Sequence, residues 1–563
     1  MLRTRRWLGS LLLVPLLGGC VSAPTDPPSQ PQPAPVPPGA AQPPPDDTTA
    51  TEQPSAAMPT DCTTDGDTPK RQLRGAWLTT VRNLDWPSEP GLSIDEQHEE
   101  LADQLDLAER YNLNAVYFQV RPTADALYAS ELEPWARYLT GEQGGDPGYD
   151  PLELAIREAH ERGIELHAWF NPYRVGHAEG DLDQLTDDHP AERNPEWLIE
   201  HEDQGYLDPG NPQAREWVSD VVLDVVERYD VDGIHFDDYF YPYPGDGEEF
   251  DDDASWQEHG QDYDNRAAWR RANIDTLMAD IHERIQDTKP WVQFGVSPFG
   301  VWRNADSDPS GSDTQALESY DAQHADTRTW IEQGWIDNVI PQLYWERGRS
   351  GADYEELAPW WSAEVADTDV DLYIGQAAYR VGEDGWDRDD ALSRQLDFNT
   401  EHDAVAGDVY YSLDSFAAEA AEAADELAET HYAHPALPPI ATGAGEPPTP
   451  VTRLDAAPID NADPDAGVEL SWTVPAETRT FVIYRVDADT AAGIDDGAEE
   501  HLCALADAAH IVDIVGVPDD TDGETHTVHD TDTAADTDDH YLVTTLDRYR
   551  VESAPSPSAT PTT

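Results

Sequence analysis

The amino-acid sequence predicts an α/β protein in which a (β/α)8 TIM barrel is followed by a small all-β sandwich. Strand-like and helix-like runs alternate eight times between Arg74 and Phe416, as in a parallel sheet whose strands are connected by helices. No Gly-x-Gly-x-x-Gly motif opens the first helix, which disfavours an open dinucleotide-binding sheet. After residue 450 the pattern changes to short strands separated by turns, which indicates the second domain.

The predicted barrel strands are short apolar runs that contain many β-branched and aromatic residues. Polar or aromatic residues lie at or next to the C-terminal end of each strand, as expected where a strand reaches the rim of a barrel. In chain order the strands are Gly75–Val81, Ala115–Val120, Glu165–Phe170, Gly233–Tyr239, Gln293–Val301, Asn338–Trp345, Leu372–Tyr379 and Val409–Leu413.

The segments between these strands show the three-to-four-residue spacing of amphipathic helices, for example Leu101, Leu105 and Ala108. The predicted helices are Ser93–Tyr111, Pro151–Arg162, Asn211–Tyr229, Asp264–Gln286, Thr327–Gln333, Tyr354–Ala366, Asp389–Glu401 and Ser415–Thr430. We therefore assign residues 70–435 to the barrel and 436–450 to a linker.

Residues 451–553 contain alternating apolar and polar runs, which predict strands at Val468–Trp472, Thr480–Arg485, His526–His529 and His540–Thr545. A Trp on an early strand followed by a Tyr-Arg strand resembles a fibronectin type III domain. Such a domain either binds glycan or packs on the barrel. Residues 554–563 are expected to form a tail.

The N-terminus has the pattern of an export signal. Arg3, Arg5 and Arg6 precede the apolar run Trp7–Leu17, which is too short to span a membrane. Leu17-Gly18-Gly19-Cys20 resembles a bacterial lipobox, which implies a 1–20 signal peptide, lipidation of Cys20 and attachment to the membrane through that lipid. The alternative is a plain signal peptide, and the Arg pair is a weak indication of twin-arginine export.

Residues 21–69 are rich in Pro, Ala, Thr and Gln and predict a disordered tether. The other two cysteines, Cys62 and Cys503, would be able to pair in an oxidising compartment. Nothing in the sequence fixes the distance between them.

The charge is extreme: 33 Lys and Arg stand against 115 Asp and Glu, for a net charge of −82. Such a chain repels nucleic acid and anionic membrane surfaces, which excludes both as main partners. Eighteen Trp and 23 Tyr, many in periodic runs, are inconsistent with a disordered polyanion. We therefore expect a folded protein adapted to high salt, where self-repulsion is screened.

The C-terminal ends of the predicted strands are rich in aromatic, amide and carboxylate side chains. Aromatic rings stack on the apolar faces of sugars, while amides and Arg bind hydroxyls, so this rim predicts a carbohydrate-binding site. We assign substrate binding to Trp77, Arg121, Trp169, Asn171, Tyr173, His235, Tyr239, Trp302, Gln342, Tyr344, Trp345 and Tyr379.

Six segments recur in the order found in one family: Arg74–Ser88, Ala168–Arg174, Leu207–Pro212, Asp232–Pro242, Gly295–Asn304 and Pro341–Trp345. Over about residues 70–430 the chain resembles the glycosyl-hydrolase-like 10 family of exported proteins and lipoproteins. The resemblance implies a (β/α)8 domain and hydrolysis of O-glycosidic bonds. Peptidoglycan glycan strands are one substrate class that it suggests.

Glycoside hydrolysis usually needs two carboxyl groups. Asp237 follows an apolar strand run and is our first candidate, because the resemblance favours it as the essential acid. Strand alternation places Asp237 on the same side as His235 and Asp238 on the other. Asp238, Glu346 and Asp414 are the alternatives for the second carboxylate.

No cofactor or metal is expected, since the chain lacks His-Glu-x-x-His, Cys-x-x-Cys and Gly-x-Ser-x-Gly. Acidic runs such as Glu248–Asp253 are interpreted as solvated loop charge. The leading functional hypothesis is a lipid-anchored glycoside hydrolase. The alternatives are a non-catalytic glycan-binding or envelope-scaffolding lipoprotein and another barrel hydrolase, such as a deacetylase.

Overall fold

The computed structural model describes Cys62 and residues 68–178, 180–245, 249–386, 389–460, 466–518, 521–531 and 538–561. The predicted signal peptide, the lipidation site Cys20 and most of the Pro-rich segment lie outside the described residues. No helix among the described residues is long and apolar enough to cross a membrane.

Eight parallel strands close into a barrel, as the sequence predicts. In order around the barrel they are β1 (Leu73–Leu78), β2 (Ala115–Arg121), β3 (Glu165–Phe170), β7 (Gly233–Phe236), β8 (Gln293–Val296), β9 (Asn338–Val339), β10 (Asp371–Gln376) and β11 (Val405–Tyr410), which pairs again with β1. Several strands end earlier than predicted; the fourth barrel strand, for example, stops at Phe236 rather than Tyr239.

Alternation along the strands divides the apolar residues into two layers. Trp77, Tyr117 and Tyr373 face inward with smaller residues and fill the barrel interior. Their neighbours, such as Ala76, Leu78 and Val116, belong to the core between the barrel and its helices. The interior is therefore packed with side chains, and the cavity described below lies above it, at the rim.

The helices begin where capping residues favour them. Ser93 and Glu96 form a capping box, and Asp150 and Asn211 each cap a helix that begins with proline. The helices are α1 (Ile94–Arg110), α2 (Arg137–Thr140), α3 (Pro151–Glu161), α4 (Pro190–Arg193), α5 (Pro212–Arg228), α6 (Asp253–His259), α7 (Arg266–Thr288), α8 (Ser319–Ala322), α9 (Thr327–Gln333), α10 (Tyr354–Val365), α11 (Ser393–Asn399), α12 (Leu413–Ala417), α13 (Ala421–Thr430), α14 (Ala488–Asp495) and α15 (Glu499–Leu502). The predicted helix 415–430 is thus divided in two, because Ala418 leaves helical geometry.

An unpredicted small sheet follows the third barrel strand. Its strands are β4 (Arg174–Gly176), β5 (Leu198–His201) and β6 (Gln204–Leu207), paired antiparallel in the order β4-β6-β5. Because β4 begins four residues after β3 ends, this sheet lies at the C-terminal rim of the barrel, and β4 carries Arg174 to the cavity described below.

The C-terminal region forms two three-stranded antiparallel sheets. One contains β12 (Leu454–Pro458), β13 (Val468–Thr473) and β16 (Thr525–Asp530); the other contains β14 (Thr480–Val486), β15 (Ile511–Gly516) and β17 (His540–Leu546). Trp472 and Leu470 of the first sheet share a core with Phe481 and Val543 of the second. The predicted sandwich is present, with α14 and α15 inserted between β14 and β15.

The sandwich contacts the N-terminal end of the barrel, opposite the rim. Arg550 pairs with Glu165 at the start of β3, and Arg479 contacts Asp230 at 2.7 Å and Asp232 at 3.6 Å, just before β7. Gly516 approaches so closely that an added Cβ would lie 1.7 Å from the carbonyl oxygen of His160. Packing on the barrel is therefore one role of this domain.

The segment before β1 also contacts the sandwich. Cys62 and Cys503 form a disulfide, and Lys70 donates to Glu552 at 2.6 Å. Both side chains of the Lys70–Glu552 pair are buried. The pairing that the sequence left open is thus present, and it joins residues 441 positions apart.

Candidate active site

A cavity of about 240 Å³ opens at the C-terminal ends of the barrel strands. Residues from the ends of seven barrel strands and from β4 form its wall. Seven predicted site residues line it: Trp77, Trp169, Asp237, Asp238, Tyr239, Gln342 and Tyr344. This is where chemistry is placed in barrels of this kind.

Asp237 lies at the base of this cavity, only 5% exposed. Its Oδ2 accepts hydrogen bonds from Trp169 Nε1 and Asn171 Nδ2, both at 3.1 Å, and its Oδ1 accepts one from the Tyr239 N–H at 3.1 Å. Burial, followed by the adjacent Asp238, raises the pKa of Asp237 to about 7. The group can therefore hold a proton near neutral pH.

Asp238 faces the same cavity, contrary to the alternation argument. Because β7 ends at Phe236, neither aspartate is held in strand geometry, and both carboxyl groups reach the space above the barrel. Tyr243 Oη donates to Asp238 Oδ2, and Gln323 Nε2 lies 3.5 Å from the same oxygen. Burial raises the pKa of Asp238, while the hydrogen bond from Tyr243 opposes the rise.

His235 lies beneath the cavity in the barrel interior. Trp77 Nε1 donates to His235 Nε2 at 3.2 Å, and Ser297 Oγ lies 3.0 Å from the same nitrogen. Burial, together with His167, lowers the pKa of His235, so the ring is neutral. It supports the cavity floor rather than lining the cavity.

Aromatic residues form one side of the cavity mouth. The rings of Tyr344 and Tyr411 are 6.3 Å apart, and Tyr379 contacts both at about 6 Å. Tyr379 is 42% exposed and lies just outside the wall. A sugar ring entering the cavity would meet these aromatic surfaces.

Four residues predicted to bind substrate do not reach the cavity. Arg121 is fully buried against Glu133 and donates to the carbonyls of Asn171 and Pro172, so its guanidinium group is held in the loops. Tyr173 packs in the core outside the barrel. Trp302 donates to Asp326 and stacks on Trp360, while Trp345 packs on Phe299.

Two candidates for the second carboxylate also lie elsewhere. Glu346 is beyond the rim and pairs with Arg349 at 3.3 Å. Asp414 begins α12 and interacts with Gln104 on α1, so it is not part of the cavity wall. Of the three alternatives only Asp238 is beside Asp237.

The structure adds residues that the sequence reasoning did not select: Arg174, His177, Tyr243 and Tyr411 line the cavity. Asp85 lies beside the wall, where its carboxylate accepts from the Thr79 N–H at 2.7 Å and from Ser412 Oγ at 2.6 Å. Burial raises the pKa of Asp85 to about 6. Asp85 and Arg174 fall within segments that carry the family resemblance, which was the available signal.

Two larger grooves lie away from the rim. Grooves of about 580 and 620 Å³ lie between the barrel and the sandwich, lined by ion-paired residues such as Asp230 and Arg548 at the end opposite the rim. Among the described residues no group of three or more His, Cys, Asp or Glu is arranged to hold a metal ion.

The sequence model of the family described as Glycosyl hydrolase-like 10 matches residues 72–391, more than half of the chain. The chain belongs to this family. It is 46% identical to Glycosyl hydrolase YngK of Bacillus subtilis (strain 168) over 374 residues, covering 66% of this chain and 73% of that protein. It is 40% identical to Glycosyl hydrolase DigH of Escherichia coli (strain K12) over 365 residues, covering 61% of this chain and 83% of that protein.

Among solved structures, α-L-fucosidase isoenzyme 2 from Paenibacillus thiaminolyticus is similar with a TM-score of 0.40 and 14% identity, over 64% of this chain and 49% of that one. That likeness is too distant to bear on function. The family resemblance predicted from the sequence motifs is confirmed, and it supports a glycan-cleaving role.

Proposed function

We propose that this protein hydrolyses O-glycosidic bonds of an oligo- or polysaccharide with the Asp237–Asp238 pair. The observation that carries the proposal is the position of two buried, adjacent carboxyl groups in an aromatic cavity at the C-terminal rim of the barrel. Family membership supports the reaction class, and the position of the cavity supports the choice of these residues.

In this mechanism Asp237 is the general acid. Its raised pKa leaves it protonated near neutral pH, so it can protonate the glycosidic oxygen as the bond to the anomeric carbon breaks. Asp238 supplies the second carboxylate, either as base toward the attacking water or as nucleophile toward the anomeric carbon. The anomer of the released sugar distinguishes these two routes.

The remaining cavity residues position the substrate. Asn171 and Trp169 hold Asp237 through N–H donors, which fixes the direction of its carboxyl group. Tyr239 and Tyr344 offer aromatic faces to sugar rings. Gln342, which donates to the Ser297 carbonyl at 3.0 Å, lines the same cavity. We propose glycan strands of peptidoglycan as a substrate class.

The setting that we propose is the outer face of a membrane in a high-salt environment, with Cys20 lipidated. The Cys62–Cys503 disulfide is in keeping with an oxidising compartment. Membrane fractionation of cells that express the full chain tests the anchor: Cys20→Ala should move the protein to the soluble fraction. Retention of that variant on membranes would contradict it.

A second candidate function is glycan binding without cleavage, which the same aromatic cavity would support. The deciding experiment incubates the full chain with peptide-free peptidoglycan strands and with neutral α- and β-glucans in molar salt. New reducing ends that appear with the wild type, and not with Asp237→Asn, support hydrolysis. Binding of a glycan without any release by the wild type would favour the second candidate.

A further inference from the structure

The two cavity aspartates differ in the groups that bond to them. Tyr243 Oη donates to Asp238 Oδ2, and Gln323 Nε2 lies 3.5 Å from the same oxygen. The side chain of Gln342 also hydrogen-bonds to Asp238. Asp237 instead accepts from indole, amide and backbone N–H groups. Among the described residues, only Asp238 of the pair is bonded to a hydroxyl group.

Tyr243 is held in place by its ring. The ring packs edge-on against Tyr239, with 5.5 Å between the ring centroids, and against Phe299, with 6.2 Å. Phe299 in turn packs on Trp345 at 5.4 Å. These contacts are made by the ring and not by the hydroxyl group, so they fix the direction in which the hydroxyl group points toward Asp238.

The hydroxyl group of Tyr243 is a permanent donor to Asp238. Burial, followed by the charge of Asp238, raises the pKa of Tyr243, so the phenol keeps its proton. A donor favours the ionised form of the carboxyl group that accepts from it. Burial raises the pKa of Asp238, and the hydrogen bond from Tyr243 is the largest effect that opposes this rise.

The other groups around Asp238 do not separate the pair in this way. Asp237, Arg174, Tyr239 and Tyr344 also face Asp238. Burial raises the pKa of both tyrosines, which are therefore neutral, and the charge of Arg174 acts on both aspartates. Because the charge of Asp238 raises the pKa of Asp237, a donor to one member of the pair affects the protonation of the other.

We propose that Tyr243 is a positioning residue that decides which of the two aspartates carries the proton. Its hydroxyl group holds Asp238 as the ionised partner and thereby leaves the proton on Asp237. This inference rests on the proposed function, because it assigns the acid and its partner within the same pair. Tyr243 acts through Asp238, whether that carboxylate serves as base or as nucleophile.

The experiment compares Tyr243→Phe with the wild type and with Tyr241→Phe. Tyr243→Phe removes the hydroxyl group and keeps the ring contacts. Tyr241→Phe is the matched control: it removes a buried hydroxyl group from the same segment, one that accepts from Asn273 at 3.3 Å and lies outside the cavity wall. Initial rates of reducing-end release are measured from pH 4 to 9 in molar salt, on a glycan that the wild type cleaves.

We expect the acidic limb of the kcat/KM profile of Tyr243→Phe to move to higher pH, because Asp238 then holds a proton more firmly. The maximum of kcat/KM should fall by roughly 10- to 100-fold, the size of a hydrogen bond to a charged group, because fewer molecules carry the proton on Asp237 alone. Tyr241→Phe should keep the wild-type profile. A Tyr243→Phe profile with the wild-type shape, even at a lower rate, would overturn the inference and leave the proposed hydrolase intact.

A double-mutant cycle gives a second measurement that does not depend on turnover. Free energies of unfolding are measured from pH 4 to 8 for the wild type, Tyr243→Phe, Asp238→Asn and the double variant. The stability lost through Tyr243→Phe should grow as pH rises and Asp238 ionises, but in the Asp238→Asn background it should not change with pH. A loss that is independent of pH in both backgrounds would contradict the role of Tyr243.

Absence of cleavage by the wild type on every glycan would count against the proposed hydrolase instead. In that case the cycle still decides whether Tyr243 holds Asp238 in its ionised form.

Discussion

At the scale of single residues, the proposed chemistry depends on how differently two neighbouring aspartates are held. Asp237 accepts only N–H donors, whereas Asp238 accepts a phenolic hydrogen bond from Tyr243. Both are buried, and the charge of one raises the pKa of the other. These different hydrogen-bond partners can give the two carboxyl groups separate roles, one as acid and one as base or nucleophile.

Asp237→Asn should lower kcat by at least ~10²–10⁴-fold, because the amide cannot transfer a proton. The fold should survive, since Asn keeps the size of the side chain. Initial rates of reducing-end release on a cleaved glycan measure the effect.

Asp238→Asn is the informative comparison. Equal loss in both variants means that the pair works as a unit. If Asp237→Asn retains near-wild-type kcat while Asp238→Asn is inactive, the assignment of the acid is reversed. If both retain activity, the reaction takes place elsewhere.

The pH profile should follow the raised pKa of Asp237. As an acid it must be protonated, so kcat/KM should fall as pH rises through about 7. The unfolded chain releases this proton near pH 4, so between pH 4 and 7 the folded state binds more protons and loses stability as pH rises. The free energy of unfolding of the wild type should therefore fall relative to that of Asp237→Asn as pH rises from 4 to 8. A difference between the two that does not change with pH would contradict the raised pKa.

Tyr344→Ala should weaken substrate binding, whereas Trp302→Ala should reduce the stability of the fold. Tyr344 lines the cavity, so its loss should raise KM more than it lowers kcat. Trp302 is buried beside Trp360 outside the cavity, so its loss should cost about 3–5 kcal/mol of stability. Chemical denaturation and steady-state kinetics on both variants measure these effects. A raised KM with unchanged stability in Trp302→Ala would mean that Trp302 binds substrate.

Single residues also show where sequence reasoning stops. Asp237 was predictable because an apolar run carries it to a strand end. Tyr411 and Asp85 were not, because their proximity to the cavity depends on how the first and last barrel strands meet, a contact between residues more than 300 positions apart. Arg121 and Trp302 appeared equally suitable in sequence, but Glu133 and Asp326 bind them in the loops.

At the scale of elements, the order of the barrel strands follows from the sequence, since each barrel strand pairs with the barrel strand that comes next in the chain. The small sheet β4-β6-β5 was missed, because strands of three or four residues carry too little periodicity to recognise. That sheet places Arg174, so the least predictable element supplies a central feature of the cavity.

The contact between the sandwich and the barrel gives a prediction at this scale. The side chains of Arg550 and Glu165 are only 7% and 12% exposed. Arg550→Met removes the arginine from Glu165 and leaves His167 Nε2, at 3.2 Å, as its neighbour, which should cost about 3–5 kcal/mol of stability. Arg453→Met removes an arginine from the exposed Arg453–Asp455 pair and should leave stability unchanged. Denaturant titration of both compares them, and equal stability would mean that the two domains do not stabilise each other through this pair.

At the scale of the whole molecule, several of the few basic side chains lie at contacts between the sandwich and the rest of the protein. Arg479, Arg548 and Arg550 join the sandwich to the barrel, and Lys70, one of two lysines in the chain, pairs with Glu552. Most of the 115 acidic residues therefore have no cation to pair with, and their mutual repulsion acts on the folded state as a whole.

Stability should therefore rise with salt. The screening length falls from about 10 Å at 0.1 M to about 3 Å at 1 M, so repulsion between surface carboxylates weakens over this range. Buried pairs such as Arg550–Glu165 are screened much less, so the contact between the domains persists while the repulsion fades. The melting temperature of the full chain should climb between 0.1 M and roughly 1–3 M KCl, with choline chloride as a second salt to separate screening from specific cation binding. A melting temperature that does not change over this range in either salt would contradict the prediction that the protein is adapted to high salt. A melting temperature that rises only in KCl would indicate bound potassium rather than screening.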